Sequence, residues 1–383
     1  SSPIVVMVRS IIEQAVRQRA SDIHFEPMRD GIRIRFRIDG NLVEAMSYDM
    51  SIYTAIIARL KIISGMDISE KRKPQDGRTT MDIDHVEYDV RVSSIPTVYG
   101  EKIVMRLTNK EKLTRDKREL GLSDDDMKRF DQMLAHPHGI ILVTGPTGSG
   151  KSTTLYTALS ELNRETVSIV TVEDPVEANI DGVNQIQVNP KADMTFASAL
   201  RSILRQDPDI IMVGETRDAE TASISVRAAI TGHLVFSTLH TNDSVSSVIR
   251  LVDMGLEPYM IANSLVGVVA QRLMRKVCPY CAQAEEPTEE EREFLERDIP
   301  KVMRPKGCRY CNNTGYKGRT AIHEILTIDR PIREMISRKA TMEEVKDYAI
   351  EKQGMKTLKE CGVELVEAGV TTMEELMKVA YYA

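Results

Sequence analysis

Eight consecutive residues, Gly145-Pro146-Thr147-Gly148-Ser149-Gly150-Lys151-Ser152, have the types and spacing of a phosphate-binding loop. The apolar run Ile140 to Val143 precedes them and a helical pattern from Thr153 follows, so strand, loop and helix come in the order this chemistry needs. The glycines let consecutive backbone N–H groups converge on phosphate oxygens, and the helix N-terminus adds its positive dipole end. Gly145 through Thr153 are therefore the expected nucleoside-triphosphate-binding set. Lys151 is placed to reach the β- and γ-phosphates and the Ser152 hydroxyl to sit on Mg²⁺.

Two further apolar runs end in acids. Ile210 to Val213 leads through Gly214 into Glu215, where a carboxylate lies near Ser152 and can hold Mg²⁺ through its waters. Val170 to Val172 leads into Glu173, Asp174 and Glu177, three acids in five residues. Hydrolysis needs a carboxylate to orient or deprotonate the attacking water. Glu173 and Glu215 both qualify, and spacing does not choose between them. His240 closes the apolar run Leu234 to Leu239, at the strand end where open α/β sheets bind ligand, and is expected to hydrogen-bond the γ-phosphate. His233, at the other end, reads as structural.

Cys278-Pro279-Tyr280-Cys281 and Cys308-Arg309-Tyr310-Cys311 stand 26 residues apart. Four thiolates in two chelating pairs suit tetrahedral Zn²⁺ in a closed, structural site. Cys361 has no partner in this pattern and reads as a core residue. A phosphate-binding loop lacks a cation for the charge that develops in phosphoryl transfer, and an arginine from a neighbouring subunit supplies it elsewhere, worth roughly 10³–10⁵ in rate. Arg78, Arg91 and Arg106 lie in or beside strand patterns and could do this; an exposed charged strand face is the plain alternative.

The elements that must hold these groups fall into two blocks. In the first, Ser2-Pro3 opens a helix with Ile4, Val8, Ile11, Ile12 and Ala15 on one face. Ile32, Ile34, Phe36 and Ile38 alternate with Arg33, Arg35 and Arg37, Asp39-Gly40 makes a hairpin turn, and a helix through Ile52 to Ile63 stops at Gly65. Residues 1–107 read as a compact α+β domain and the charged stretch 108–119 as a linker. From 120 to 383, apolar strands alternate with segments long enough for crossover helices, which demands a parallel sheet covered on both faces. Residues 272–320 read as a tetracysteine subdomain inside this block. Residues 328–383 read as helices, two of them opened by the capping boxes Thr341 to Glu344 and Thr372 to Glu375.

Composition narrows the class. No apolar run approaches the roughly 20 residues that span a bilayer, and no signal peptide opens the chain. A formal charge of −6 argues against a broad nucleic-acid footprint, and so against a zinc-ribbon DNA-binding module. Paired Cys-x-x-Cys spacing points to metal binding in a reducing compartment rather than to disulfides. A first residue of Ser suggests a processed or truncated piece.

The chain resembles the ATPase family of type II secretion and type IV pilus assembly. The likeness rests on Ala20 to Pro27, Pro74 to Arg78, Arg91 to Ser93 with Gly100 to Lys102, and the Asp box around Glu173-Asp174-Pro175. It rests also on Gly214-Glu215 ending a Walker B strand and on the His box from Gly232 to His240. It implies a RecA-like P-loop NTPase domain of α/β class, preceded by a smaller PAS-like α+β domain. It also implies a homo-hexameric ring in which the first domain of one subunit closes on nucleotide held by the next, with Arg91 and Arg106 reaching the γ-phosphate ahead of Arg78. ATP hydrolysis would then turn a polytopic inner-membrane platform protein, adding pilin-like subunits to a pilus or secretion pseudopilus. The tetracysteine site favours extension or secretion over the alternative, a retraction or conjugation-type ATPase. The resemblance further implies a cytoplasmic location against the inner face of the membrane and contacts with other membrane components through an N-terminal domain that this sequence lacks, while the acidic balance speaks against a nucleic-acid partner.

Overall fold

The computed structural model describes residues 2–109 and 115–381, in two compact units, 1–112 and 113–383. In the first, α1 (Pro3–Arg17) leads into β1 (Ala20–Pro27), β2 (Gly31–Ile38) and β3 (Asn41–Asp49). After α2 (Met50–Ser64) come β4 (Gln75–Ile83), β5 (Val86–Thr97) and β6 (Gly100–Asn109). The strands form one antiparallel sheet in the order β3-β2-β1-β6-β5-β4. Period-two alternation gives it one apolar face, where Ile23, Phe25, Phe36, Val92 and Met105 cluster with Ile12 of α1 and Leu60 of α2. The register sets Arg78 opposite Arg91, Arg91 opposite Arg106, and Arg106 opposite Asp22, one charged row across four strands. Ser2 precedes α1 without a side-chain cap bond; α2 ends as expected, with Gly65 in the left-handed conformation.

The charged stretch 108–119 is not uniform. Thr108 and Asn109 finish β6, while the Arg115 N–H donates to Thr157 Oγ1 and Lys117 pairs with Asp131 and Glu161. Residues 115–119 are thus fastened to the second unit by charge that a linker reading takes as solvated; the rest of that reading, 110–114, lies outside the described residues.

The second unit begins with α3 (Asp124–Leu134), β7 (Gly139–Thr144), α4 (Lys151–Leu162), β8 (Ile169–Glu173) and β9 (Asn184–Gln187). It continues through α5 (Phe196–Ile203), β10 (Ile210–Val213), α6 (Ala219–Ile230), β11 (Leu234–Leu239), α7 (Ser244–Asp253) and α8 (Pro258–Ser264). β12 (Leu265–Val277) follows, then β13 (Gln283–Glu285), α9 (Glu289–Leu295), β14 (Val302–Arg304) and β15 (Tyr316–Thr327). Four helices close the chain: α10 (Arg330–Ser337), α11 (Met342–Gln353), α12 (Leu358–Glu367) and α13 (Met373–Tyr381). The large sheet runs β15-β12-β7-β11-β10-β8-β9, parallel except for β15. Its central strands are buried along their whole length, as a sheet covered on both faces requires.

Two readings from sequence change here. β12 and β15 pair along nearly their full length, so 272–277 and 316–320 belong to the main sheet and the excursion that carries the cysteines is 278–315. The capping boxes are half made. Thr341 and Thr372 accept from the N–H groups of Glu344 and Glu375, but those carboxylates are engaged by Arg338 and Arg275 instead of reaching back. A charge-assisted bond to arginine outcompetes one to a neutral backbone amide.

Candidate active site and metal centre

β7 delivers the chain to the phosphate-binding loop in the middle of the sheet. Gly148 takes a φ of 82°, open only to glycine at low cost, and a Cβ on Gly145 would come within 2.6 Å of the Gln271 carbonyl oxygen on β12. Lys151, first residue of α4, donates through Nζ to the Gly145 carbonyl at 2.6 Å and lies 3.2 Å from His240 Nδ1. Burial pushes its ammonium down to about 8, the charge of Glu215 opposing and that of Arg272 adding to the shift. The Ser149 hydroxyl is buried without a hydrogen-bond partner. An unpartnered hydroxyl and a half-desolvated ammonium at a helix N-terminus fit the anionic phosphates of a nucleotide.

β11, β10 and β8 stand side by side next to β7, so their C-terminal ends bring His240, Glu215 and Glu173 to the same edge as the loop. Ser152, Tyr156, Glu173, Asp174 and Glu215 line one small pocket there. Glu215 Oε1 lies 2.9 Å from His240 Nε2, and Arg217 Nε donates to Glu215 Oε2 at 2.7 Å. A polar chain therefore runs from Lys151 through His240 and Glu215 to Arg217. Glu173 is enclosed: its carboxylate accepts from Tyr156, from Thr171 Oγ1 at 2.7 Å and from Gln185 Nε2 at 3.1 Å. Burial pushes this carboxyl above the usual carboxylate range, the three hydrogen bonds pulling the other way.

Lys151, Ser152, Glu173, Glu215 and His240 are thus gathered within one unit. His233 is not among them; its Nδ1 lies 2.9 Å from the Ala228 carbonyl near the end of α6. In the first unit, Arg91 and Arg106 are cross-strand neighbours. Arg106 Nε donates to Asp22 at 3.1 Å, Arg91 Nε lies 3.8 Å from Asp89, and Arg78 grips both Asp89 oxygens at 2.8 and 2.7 Å. Reading motifs missed Tyr156, Gln185, Gln271 and Arg272. Gln271 accepts from Thr154 of α4 at 2.6 Å, and Arg272 is buried against the carbonyls of Gln271 and Asn242. Tyr156 could have been found, four residues beyond Ser152 on one helix. The others are brought in by strand pairing and carry no local signal.

The four cysteine sulfurs of 278–315 all lie within 4.8 Å of one another, with Cys278–Cys308 at 3.7 Å, Cys281–Cys311 at 3.8 Å and Cys308–Cys311 at 3.7 Å. Zinc–sulfur bonds of ~2.3 Å in a tetrahedron put sulfurs about 3.8 Å apart, so the cluster has the dimensions of a Cys₄ zinc site. Backbone N–H groups of Gly307, Cys308 and Gly315 point at the Cys281 and Cys311 sulfurs at 3.2–3.3 Å, as suits thiolates holding a cation. Cys361, partly buried, donates to the His323 carbonyl at 3.3 Å, in keeping with a core role.

A parallel sheet carrying a phosphate-binding loop, acid-tipped neighbouring strands and crossover helices on both faces defines a P-loop ATPase of RecA-like fold. Residues 1–378 match the family described as Type II/IV secretion system protein, and the chain belongs to that family. It is 47% identical to the type II secretion system ATPase E of Vibrio cholerae over 384 residues, covering 99% of this chain and 75% of that one. It is 46% identical to the type IV pilus assembly ATPase PilB of Myxococcus xanthus, covering 98% and 68%. Among solved structures, the pilus retraction motor PilT with bound ADP aligns at a TM-score of 0.65 and 26% identity over 96% of this chain and 95% of that one. The Legionella pneumophila ATPase DotB, at a TM-score of 0.71 and 22% identity over 99% and 96%, shares the fold. The protein is a secretion or pilus-assembly ATPase. No helix among its described residues is long and apolar enough to cross a membrane.

Proposed function

We propose that this ATPase works as a homo-hexameric ring, recruited to the cytoplasmic face of the inner membrane, that turns a platform protein to build a pilus or secretion pseudopilus. The observation that carries the reading is the convergence of Lys151, Ser152, Glu173, Glu215 and His240 on one sheet edge. In this scheme the loop from Gly145 to Thr153 cradles ATP, and Lys151 leaves the Gly145 carbonyl for the β- and γ-phosphates. Ser152 and Glu215 hold Mg²⁺, which supplies charge neutralisation on the phosphates. Glu173, stripped of water and so a stronger base than an exposed carboxylate, accepts the proton of the attacking water. His240, bridging Lys151 and Glu215, bonds the γ-phosphate and reports its loss to α7, which begins four residues later. Arg91 and Arg106 of a neighbouring subunit neutralise the transferring phosphoryl group. Cys278, Cys281, Cys308 and Cys311 hold Zn²⁺ as a structural staple, and their presence supports growth or secretion over retraction.

The test is subunit complementation. Lys151→Ala and Arg91→Ala should each be nearly inactive, and mixtures dissociated and reassembled should recover ATPase activity because intact sites form between unlike subunits. Absence of recovery, with subunit exchange demonstrated by a fluorescent label, refutes the shared site.

A further inference from the structure

We propose that Tyr156 is the positioning residue of Glu173, tying the base to the phosphate-binding helix; this rests on the reading of Glu173 as the base. Tyr156 and Ser152 are four residues apart on α4 and therefore neighbours on one helix face. One end of that face carries the hydroxyl assigned to Mg²⁺ and the other carries the phenol. The Tyr156 ring is 1% exposed, and its hydroxyl gives its single proton to Glu173 Oε1. The Tyr156 phenol oxygen itself accepts the Glu177 N–H at 3.0 Å, so one phenol joins α4, the end of β8 and the loop that follows it. Packing alone needs no oxygen there; a buried phenol is used where its O–H has a specific acceptor.

The geometry also sets where water can bind. A carboxylate offers about four lone-pair directions. On Glu173, Tyr156 takes one on Oε1, while Thr171 and Gln185 take those on Oε2. One direction on Oε1 is left for the proton of a water. Losing the phenol frees that oxygen and lets the carboxylate swing, so the attacking water loses its fixed site although nucleotide contacts do not change. The charged groups around the pocket are Asp174 and Glu177 from the loop after β8 and Glu215 just after β10, with Arg217 against Asp174 and Glu215.

The experiment compares steady-state ATPase of the wild type, Tyr156→Phe, Glu173→Gln and the double variant, with thermal unfolding as the folding control. Tyr156→Phe should lower kcat by about tenfold and leave KM for Mg-ATP within about twofold, since positioning contributes to turnover rather than to binding. Added to Glu173→Gln, it should cost nothing further, because the two act through one group. If Tyr156→Phe does not fold, 4-fluorophenylalanine at 156 fills the oxygen's volume without donating and must give the same split. A kcat within twofold of wild type, or parallel losses in kcat and KM, or full additivity in the double variant, overturns the inference. Should Glu173→Gln itself keep near-normal turnover, the assignment of the base falls and this inference with it. A dead Glu173→Gln beside a normal Tyr156→Phe removes the inference alone.

Discussion

At the scale of single residues, the two candidate carboxylates differ in surroundings far more than in sequence context. Glu215 is partly exposed and shares its oxygens with His240 and Arg217. Glu173 is 3% exposed and meets only neutral donors. Burial penalises its charged form, so the carboxyl titrates above the ordinary carboxylate value. The proposed base must be ionised to work, so activity should be lost as pH falls through this raised value. The acid limb of the kcat profile should lie clearly above the ~4.3 of an exposed glutamate. A kcat that stays flat down to pH 4.5, in a profile from pH 4.5 to pH 8, would assign the base elsewhere.

At the scale of elements, β15 joins the sheet to the closing helices. The Glu324 side chain does this from one face of the strand. Glu324 is buried and accepts from Ser244 N–H and hydroxyl at the start of α7 and from Leu358 N–H at the start of α12. It caps two helices at once, including the one behind His240. His323 is buried beside Gln271, its cross-strand neighbour, and its Nε2 has no partner. Burial pushes the imidazole down to about 4. Its folded value lies below its unfolded one, so the unfolded chain takes up the proton first and stability falls as pH drops through this window. Between pH 7 and pH 5 the loss should be roughly 2 kcal/mol. Denaturant unfolding at the two pH values measures it. His323→Leu should flatten the dependence, and an unchanged slope would show that the histidine is not its source.

At the scale of the whole molecule, the four-cysteine excursion 278–315 hangs between β12 and β15, the two strands at the edge of the sheet beyond the phosphate-binding strand. Around the cysteines it has little apolar filling: Leu295, Ile299 and Val302 are its buried aliphatics, and Tyr280 and Tyr310 stack on each other at 4.3 Å while remaining exposed. So small an excursion needs a staple. Chelation, or Cys278→Ser, should raise protease sensitivity within 278–315 and lower the thermal midpoint. Turnover per folded molecule should hold, because four thiolates leave no position open for substrate. Loss of turnover with the excursion still protected would give the metal a part in the chemistry. The first unit has its own core and a charged sheet face, and the complementation experiment asks whether that face acts on a second subunit.

What was legible in the chain was whatever is local. The loop Gly145 to Ser152 is contiguous and flanked by its strand and helix, the cysteines come in chelating Cys-x-x-Cys pairs, and acids at strand ends announce themselves where an apolar run stops. Alternation marked the strand of Arg33, Arg35 and Arg37 within eight residues, and apolar strands separated by crossover lengths implied a parallel sheet, because both signals are read along consecutive stretches of chain. Tertiary structure alone decided the rest. Gln271 and Arg272 reach the loop because β12 pairs with β7, more than a hundred residues away in the chain. Arg78, Arg91 and Arg106 form a row only through the register of three antiparallel strands. Glu173 and Glu215 look alike in sequence, yet packing by Tyr156, Thr171 and Gln185 dehydrates one of them while the other stays partly exposed. Desolvation is a property of what surrounds a group in space, and no spacing along the chain encodes it.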